Sequence, residues 1–145
     1  MNNFPSHPRI LICETMSVDS GGKASILGLY VGDDALLLGG GPEKVIPRVT
    51  MLAIFNDGEG EADIQIRVFT PDQEAINPLP NEGRGRIRFT RGENTVVSVE
   101  WVGFKVPKWG AYEFQVLLDG RPYTHKFTIK EATSERVLGV KNAAV

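Results

Sequence analysis

Apolar residues recur at every second position along most of the chain, and turn-forming residues interrupt them at short intervals. In residues 9–18, Ile10, Ile12, Met16 and Val18 alternate with Leu11 and Cys13. Apolar residues on both sides predict a strand that is covered on both faces at its start. Asp19-Ser20-Gly21-Gly22 then reads as a turn, because glycine reaches positive φ without steric cost. Residues 23–31 return as a second strand with Ile26, Leu27, Leu29 and Tyr30, completing a hairpin. Residues 49–56 place Val49, Met51, Ala53 and Phe55 on one face and Leu52 and Ile54 on the other. Residues 62–70 alternate most cleanly, with Ile64, Ile66 and Val68 inward and Asp63, Gln65, Arg67 and Phe69 outward. Such a strand fits an antiparallel sheet with one face in water.

The second half continues in the same way. Residues 85–90 point Ile87 and Phe89 inward. Residues 95–106 put Val97, Val99 and Trp101 on one side and Val96, Val102 and Phe104 on the other. After a break at 107–110, Tyr112, Phe114, Val116 and Leu118 follow at period two. Asp119-Gly120 is a strong hairpin dipeptide, and Tyr123, His125, Phe127 and Ile129 close the sheet. About eight strands with turns between them predict an all-β fold, an antiparallel sandwich. Residues 32–48 are the exception. Two prolines, Gly39-Gly40-Gly41 and the run Leu36-Leu37-Leu38 make them a long irregular connection between sheets, or a functional loop. The expected organisation is a flexible N-terminus at 1–8, a sandwich domain at 9–130, and a C-terminal tail at 131–145. The tail reads as a frayed extension or as a short helix at 134–140 capped by Ser134.

Composition sharpens this picture more than it changes it. With 145 residues, 41% of them hydrophobic, the chain has the material for one sizeable core. Sixteen basic and 18 acidic residues leave a net charge of -2. That balance argues against bulk capture of nucleic acid or of an anionic membrane. The N-terminus lacks the basic and apolar regions of a signal peptide, and no apolar run reaches the roughly 20 residues of a membrane span. A cytoplasmic protein is the expectation. Cys13, the single cysteine, reads as a small buried hydrophobe.

Trp109-Gly110-Ala111-Tyr112-Glu113-Phe114 has the spacing of a tyrosine corner, with Phe114 where the second cysteine would stand. The motif resembles disulfide-free immunoglobulin-like sandwiches. The resemblance implies that the Tyr112 hydroxyl bonds backbone a few residues upstream. Ile12-Cys13-Glu14, Gly22-Lys23 and Ile26-Leu27-Gly28-Leu29-Tyr30 are similar to the opening of a family of small prokaryotic domains of unknown function. Gly110-x-Tyr112-x-Phe114, Leu118-Asp119-Gly120 and Phe127-x-Ile129 match its close. The resemblance spans most of residues 9–130 and implies an immunoglobulin-like β-sandwich. It implies no activity and carries no catalytic residue.

Each standard site lacks a required part. His7 lies in the N-terminal segment and His125 sits among core-phase aromatics, with no Gly-x-Ser-x-Gly elbow to complete a nucleophilic triad. Asp19, Asp33, Asp34, Asp57, Glu59, Asp72 and Asp119 are turn residues without EF-hand spacing. The Gly39-Gly40-Gly41-Pro42-Glu43-Lys44 run lacks the Gly-Lys-Ser/Thr ending of a phosphate loop. No catalytic residue, metal ligand or cofactor is therefore assigned.

The candidate interaction surface is Arg84, Arg86 and Arg88, placed on one face by period two, with Arg91 in the next turn and Trp109 at the 107–110 corner. Exposed arginines suit an acidic partner, and they also protect an edge strand from aggregation. A tryptophan can anchor a partner or cover the open end of a core. The leading expectation is a non-enzymatic domain that binds another protein or a copy of itself. The alternatives are a sandwich that binds a small ligand or carbohydrate through residues 32–48, and an enzyme.

Overall fold

The computed structural model describes residues 1–21, 23–30, 34–37 and 45–131. The strands are β1 (Arg9–Val18), β2 (Ala24–Leu29), β3 (Asp34–Leu37), β4 (Val45–Phe55) and β5 (Gly60–Phe69). They continue with β6 (Ala75–Ile76), β7 (Arg84–Phe89), β8 (Thr95–Lys105), β9 (Gly110–Leu118) and β10 (Arg121–Glu131). A short 3-10 turn, Pro80–Gly83, links β6 to β7. Sheet 1 has the order β2-β1-β4-β8. Sheet 2 has the order β3-β10-β9-β5-β6, with β7 also paired to β5.

Three features differ from the sequence expectation. Ten strands are described instead of about eight. The additions are β6, only two residues long, and β3, which lies within the stretch read as irregular; β4 also begins inside that stretch. Second, β3 runs parallel to β10, from Thr128↔Asp34 to Glu131↔Leu37, whereas the pairs between the other strands are antiparallel. Third, Trp101 and Phe104 were expected on opposite faces of β8, yet both are buried in one core. The reason is Gly103, whose φ of 75° turns the strand and resets its alternation. Opposite, Ile46 and Val49 of β4 are both buried, again three residues apart.

Residues from both sheets share the core. Trp101 of sheet 1 stacks on Phe114 at 5.4 Å, and Phe114 stacks on Phe127 at 4.6 Å. Further along, Phe55 meets Phe89 at 5.3 Å and Tyr123 at 5.7 Å, each edge to face. Edge-to-face and offset rings are favourable arrangements of the aromatic quadrupole. The predicted inward set of β9 (Tyr112, Phe114, Val116 and Leu118) is buried throughout. The Tyr112 hydroxyl donates to the Lys108 carbonyl at 2.7 Å, four residues upstream, as the tyrosine-corner motif implies. Sheet 1 curls. Cys13, Thr50 and Leu52, which alternate away from the common core, are buried too.

The N-terminal residues make specific contacts. Asn3 bridges Glu59, and Tyr123 donates its hydroxyl to the Pro5 carbonyl. Ser6 donates to Asp57 from both its backbone N–H and its hydroxyl, at 2.7 and 2.6 Å. These two bonds hold the Asp57 carboxyl below the usual range, because they favour the charged form.

Candidate functional site

The arginine stripe takes the orientation that the sequence predicts. Arg84, Arg86 and Arg88 are all exposed on β7. Register then decides what they can do. β7 pairs antiparallel with β5, bringing Arg88 opposite Glu61 and Arg86 opposite Asp63. Arg86 donates to Asp63 at 3.0 Å and to Glu61 at 3.1 Å. Those two carboxylates hold its guanidinium more firmly charged, the Glu61 hydrogen bond most of all. Arg84 pairs with Glu82 at 3.2 Å. Much of the stripe is therefore neutralised from within. Arg88 and Arg91 make no ion pair with the described residues.

Trp109 does not join the arginines. Arg84 lies level with Gln65, and Gln65 with Leu117 on β9, whereas Trp109 precedes the first residue of that strand. Eight residues of strand separate the two levels, roughly 26 Å at about 3.3 Å per residue. Trp109 is half-buried and packs against the core. It covers one end of the core, and the five residues do not form one patch.

A different surface stands out, one that sequence reasoning did not single out. The large apolar side chains left exposed among the described residues are Val18, Ile26, Leu27, Leu29, Val45, Val96 and Val102. Every one belongs to sheet 1. Four lie on the β1–β2 hairpin, where Val18 is 58% and Leu27 65% exposed. The hairpin becomes an arm because β1 pairs with β4 only as far as Cys13↔Thr50. Beyond it, β1 continues, among the described strands, against β2 alone, to Val18↔Ala24. Asp19 fixes the tip. Its carboxylate accepts from the N–H groups of Gly21 and Lys23, both at 2.9 Å. At the base, Gly28 adopts φ 67°, and a Cβ there would stand 2.8 Å from Glu14 Cγ. Only glycine lets the Glu14 side chain cross the strand at this point.

The signal for this surface was present as Ala24-Ser25-Ile26-Leu27-Gly28-Leu29, six residues without a charge. Its meaning depended on β2 being an edge, which alternation does not reveal. The other edges are guarded in ways edge strands commonly are. β7 carries its arginines, and β3 and β6 are short. β8 is held at one end by Asn77, whose side-chain amide donates to the Lys105 carbonyl and accepts from its N–H, at 2.9 and 2.8 Å. Trp101 Nε1 donates to the Asn77 carbonyl at 2.9 Å. Asn77 holds φ 52°, a left-handed conformation that asparagine tolerates better than most residues.

Behind this clasp lies a cavity of about 260 Å³, where Ile66, Val68, Ile76, Leu79 and Trp101 supply apolar walls. Gln65, Arg67, Asn77 and Glu82 lie at its polar margin. Arg67 is already engaged, donating to Gln115 and lying over the Phe69 ring at 5.3 Å.

The remaining chemical candidates are packed into the structure. Cys13 is buried, and burial with the nearby Glu100 carboxylate pushes its thiol up, away from the reactive thiolate. His7 bridges the carbonyls of Pro8 and Thr124 at 2.9 and 3.0 Å. His125 is half-buried on β10. Among the described residues no three His, Cys, Asp or Glu side chains gather to hold a metal. Asp33 and residues 39–44 lie outside the described residues, and Asp34 is described in its backbone strand only. No helix among the described residues is long and apolar enough to cross a membrane.

No family model and no curated protein matches the chain. Among solved structures it is similar to a β-glucosidase from Listeria innocua, with 11% identity and a TM-score of 0.39. The likeness covers 86% of this chain and 16% of the other, so the chain spans a small part of that enzyme's length. A likeness of this size bears on neither activity nor substrate.

Proposed function

We propose that the protein is a non-enzymatic binding module that accepts an uncharged β-strand of a protein partner along the outer edge of β2. One observation carries this reading. β2 is an uncharged strand, exposed at every residue, on a two-stranded arm with no third strand beside it among the described residues. A two-stranded hairpin is marginally stable in water, and a third strand adds backbone hydrogen bonds and buries side chains. The tyrosine corner at Tyr112 supports an immunoglobulin-like arrangement of the sheets, in keeping with the resemblance to small prokaryotic β-sandwich domains. A single, buried cysteine fits a reducing compartment, and we read the protein as cytoplasmic.

The test compares protein capture by the wild type, by Leu27→Lys on β2 and by the pair Arg86→Glu and Arg88→Glu on β7. Binding that disappears with Leu27→Lys and survives the β7 changes supports the reading. Binding that follows the arginines instead would overturn it.

The cavity behind Asn77 favours a second reading, a small apolar ligand under the 77–83 connection. At about 260 Å³ it lies just below the usual range for ligand pockets, roughly 300–1,000 Å³. Thermal-shift screening against small apolar acids and amides, with Ile76→Trp as a filled-cavity control, distinguishes the two readings. A ligand that raises the melting temperature of the wild type but not of the control supports a pocket.

A further inference from the structure

Charge at the two ends of β2 says which strand fits it. Lys23 precedes the strand. Glu14 lies across its other end, its Cγ 2.8 Å from the position a Cβ of Gly28 would take. Neither has an ion-pair partner among the described residues. They cannot pair within one molecule, because five residues of strand, roughly 16 Å at about 3.3 Å per residue, hold them apart. Between them the edge is uncharged.

We infer that the partner strand is β2 of a second copy, paired antiparallel about a two-fold axis; this rests on the binding reading above. Antiparallel pairing about the middle of β2 sets the Lys23 end of one strand beside the Gly28 end of the other. Each Lys23 then meets the Glu14 of the opposite copy, twice per dimer. A parallel arrangement would instead place Lys23 beside Lys23 and Glu14 beside Glu14. Two-fold pairing also closes the assembly, since each copy uses its one β2 edge. The exposed Ile26 and Leu27 of each arm are covered by the same residues of the other, and two hairpins become one four-stranded ribbon.

Charge reversal tests the geometry. Light scattering over a concentration series reads the dimer dissociation constant of the wild type, Lys23→Glu, Glu14→Lys and the double variant, with circular dichroism confirming the fold of each. The expectation is a wild-type dimer. Either single reversal weakens it about tenfold or more, because two attractive contacts become repulsive. The double variant recovers the wild-type constant. An equimolar mixture of the two single variants forms a heterodimer, because one copy is then acidic at both ends and the other basic at both. Leu27→Lys, which places a charge in the middle of the strand, gives monomer and supplies a readout that does not need the charge variants.

A wild type that stays monomeric at every concentration overturns the inference. So do single reversals that dimerise as the wild type does, or a mixture of single variants that stays monomeric. The binding reading fails separately. A monomeric wild type whose capture of another protein is lost in Leu27→Lys overturns self-pairing alone. A monomer with no capture dependent on Leu27 overturns both.

Discussion

The outward sides of the two sheets follow different rules. On sheet 2, charged side chains find polar partners across strands: Arg86 sits between Glu61 and Asp63, and Arg67 donates to the Gln115 side-chain carbonyl. On sheet 1, the one ion pair between described residues is Arg48–Glu100 at 3.5 Å, and the large exposed aliphatics among the described residues collect there. Both sheets contribute to one core, so the contrast does not come from hydrophobic content. It comes from edges. Sheet 2 ends in arginines and very short strands, and sheet 1 ends on one side in a hairpin arm whose outer strand, β2, is uncharged. Edges guarded by charge resist added strands, and an unguarded edge invites them.

The contrast supposes that the core joins the sheets while the outer surfaces differ, and the largest expected effect tests that joint. Phe114→Ala removes the ring stacked between Trp101 and Phe127. It should cost about 3–5 kcal/mol in chemical denaturation, with both sheets lost in one transition. Two transitions would show that the sheets are separable. Next is Asn77→Ala, which strips both side-chain bonds from Lys105 and puts alanine at a left-handed φ. A loss of roughly 2 kcal/mol is expected, with faster amide exchange at the end of β8. Tyr112→Phe keeps the ring and removes the donor to Lys108. About 1 kcal/mol should be lost, and a neutral result would show that the corner contributes packing alone.

pH sharpens the comparison on the N-terminal side. The Asp57 carboxyl is held low first by the Ser6 hydroxyl and then by the Ser6 N–H. A depressed carboxyl contributes stability in full above its unfolded value, about 3.9. That contribution is lost as pH falls through the lower folded value. Thermal melts should therefore weaken in this acid window, and Asp57→Asn should flatten that part of the profile. An unchanged acid profile in Asp57→Asn would remove Asp57 as its source. The smallest effect belongs to Arg86→Ala, an exposed pair on the outer side of sheet 2, which should leave the denaturation midpoint unmoved within error.

Much of this was legible in the chain before folding. Period two identified β5 and β9 and their inward residues, because each strand keeps one face in the core along its length. The arginine stripe was legible for the same reason. Its neutralisation by Glu61 and Asp63 was not, since that depends on the register between β5 and β7. β8 misled because Gly103 resets the alternation without any break in composition. β6 is too short for a period, and β3 lies among glycines and prolines that read as loop. Residues 76–83 are rich in proline and asparagine, a loop composition that gives no hint that the Asn77 amide would reach Lys105. The β2 edge was written plainly as six uncharged residues, but a strand becomes an edge only once the order of the sheet is known.

The most direct test of the account is hydrogen–deuterium exchange of the wild type at low and high protein concentration. The account predicts that amides of β2 gain protection as concentration rises, while those of β7 do not change. Exchange at β2 that is independent of concentration, or protection that grows at β7 instead, would contradict it.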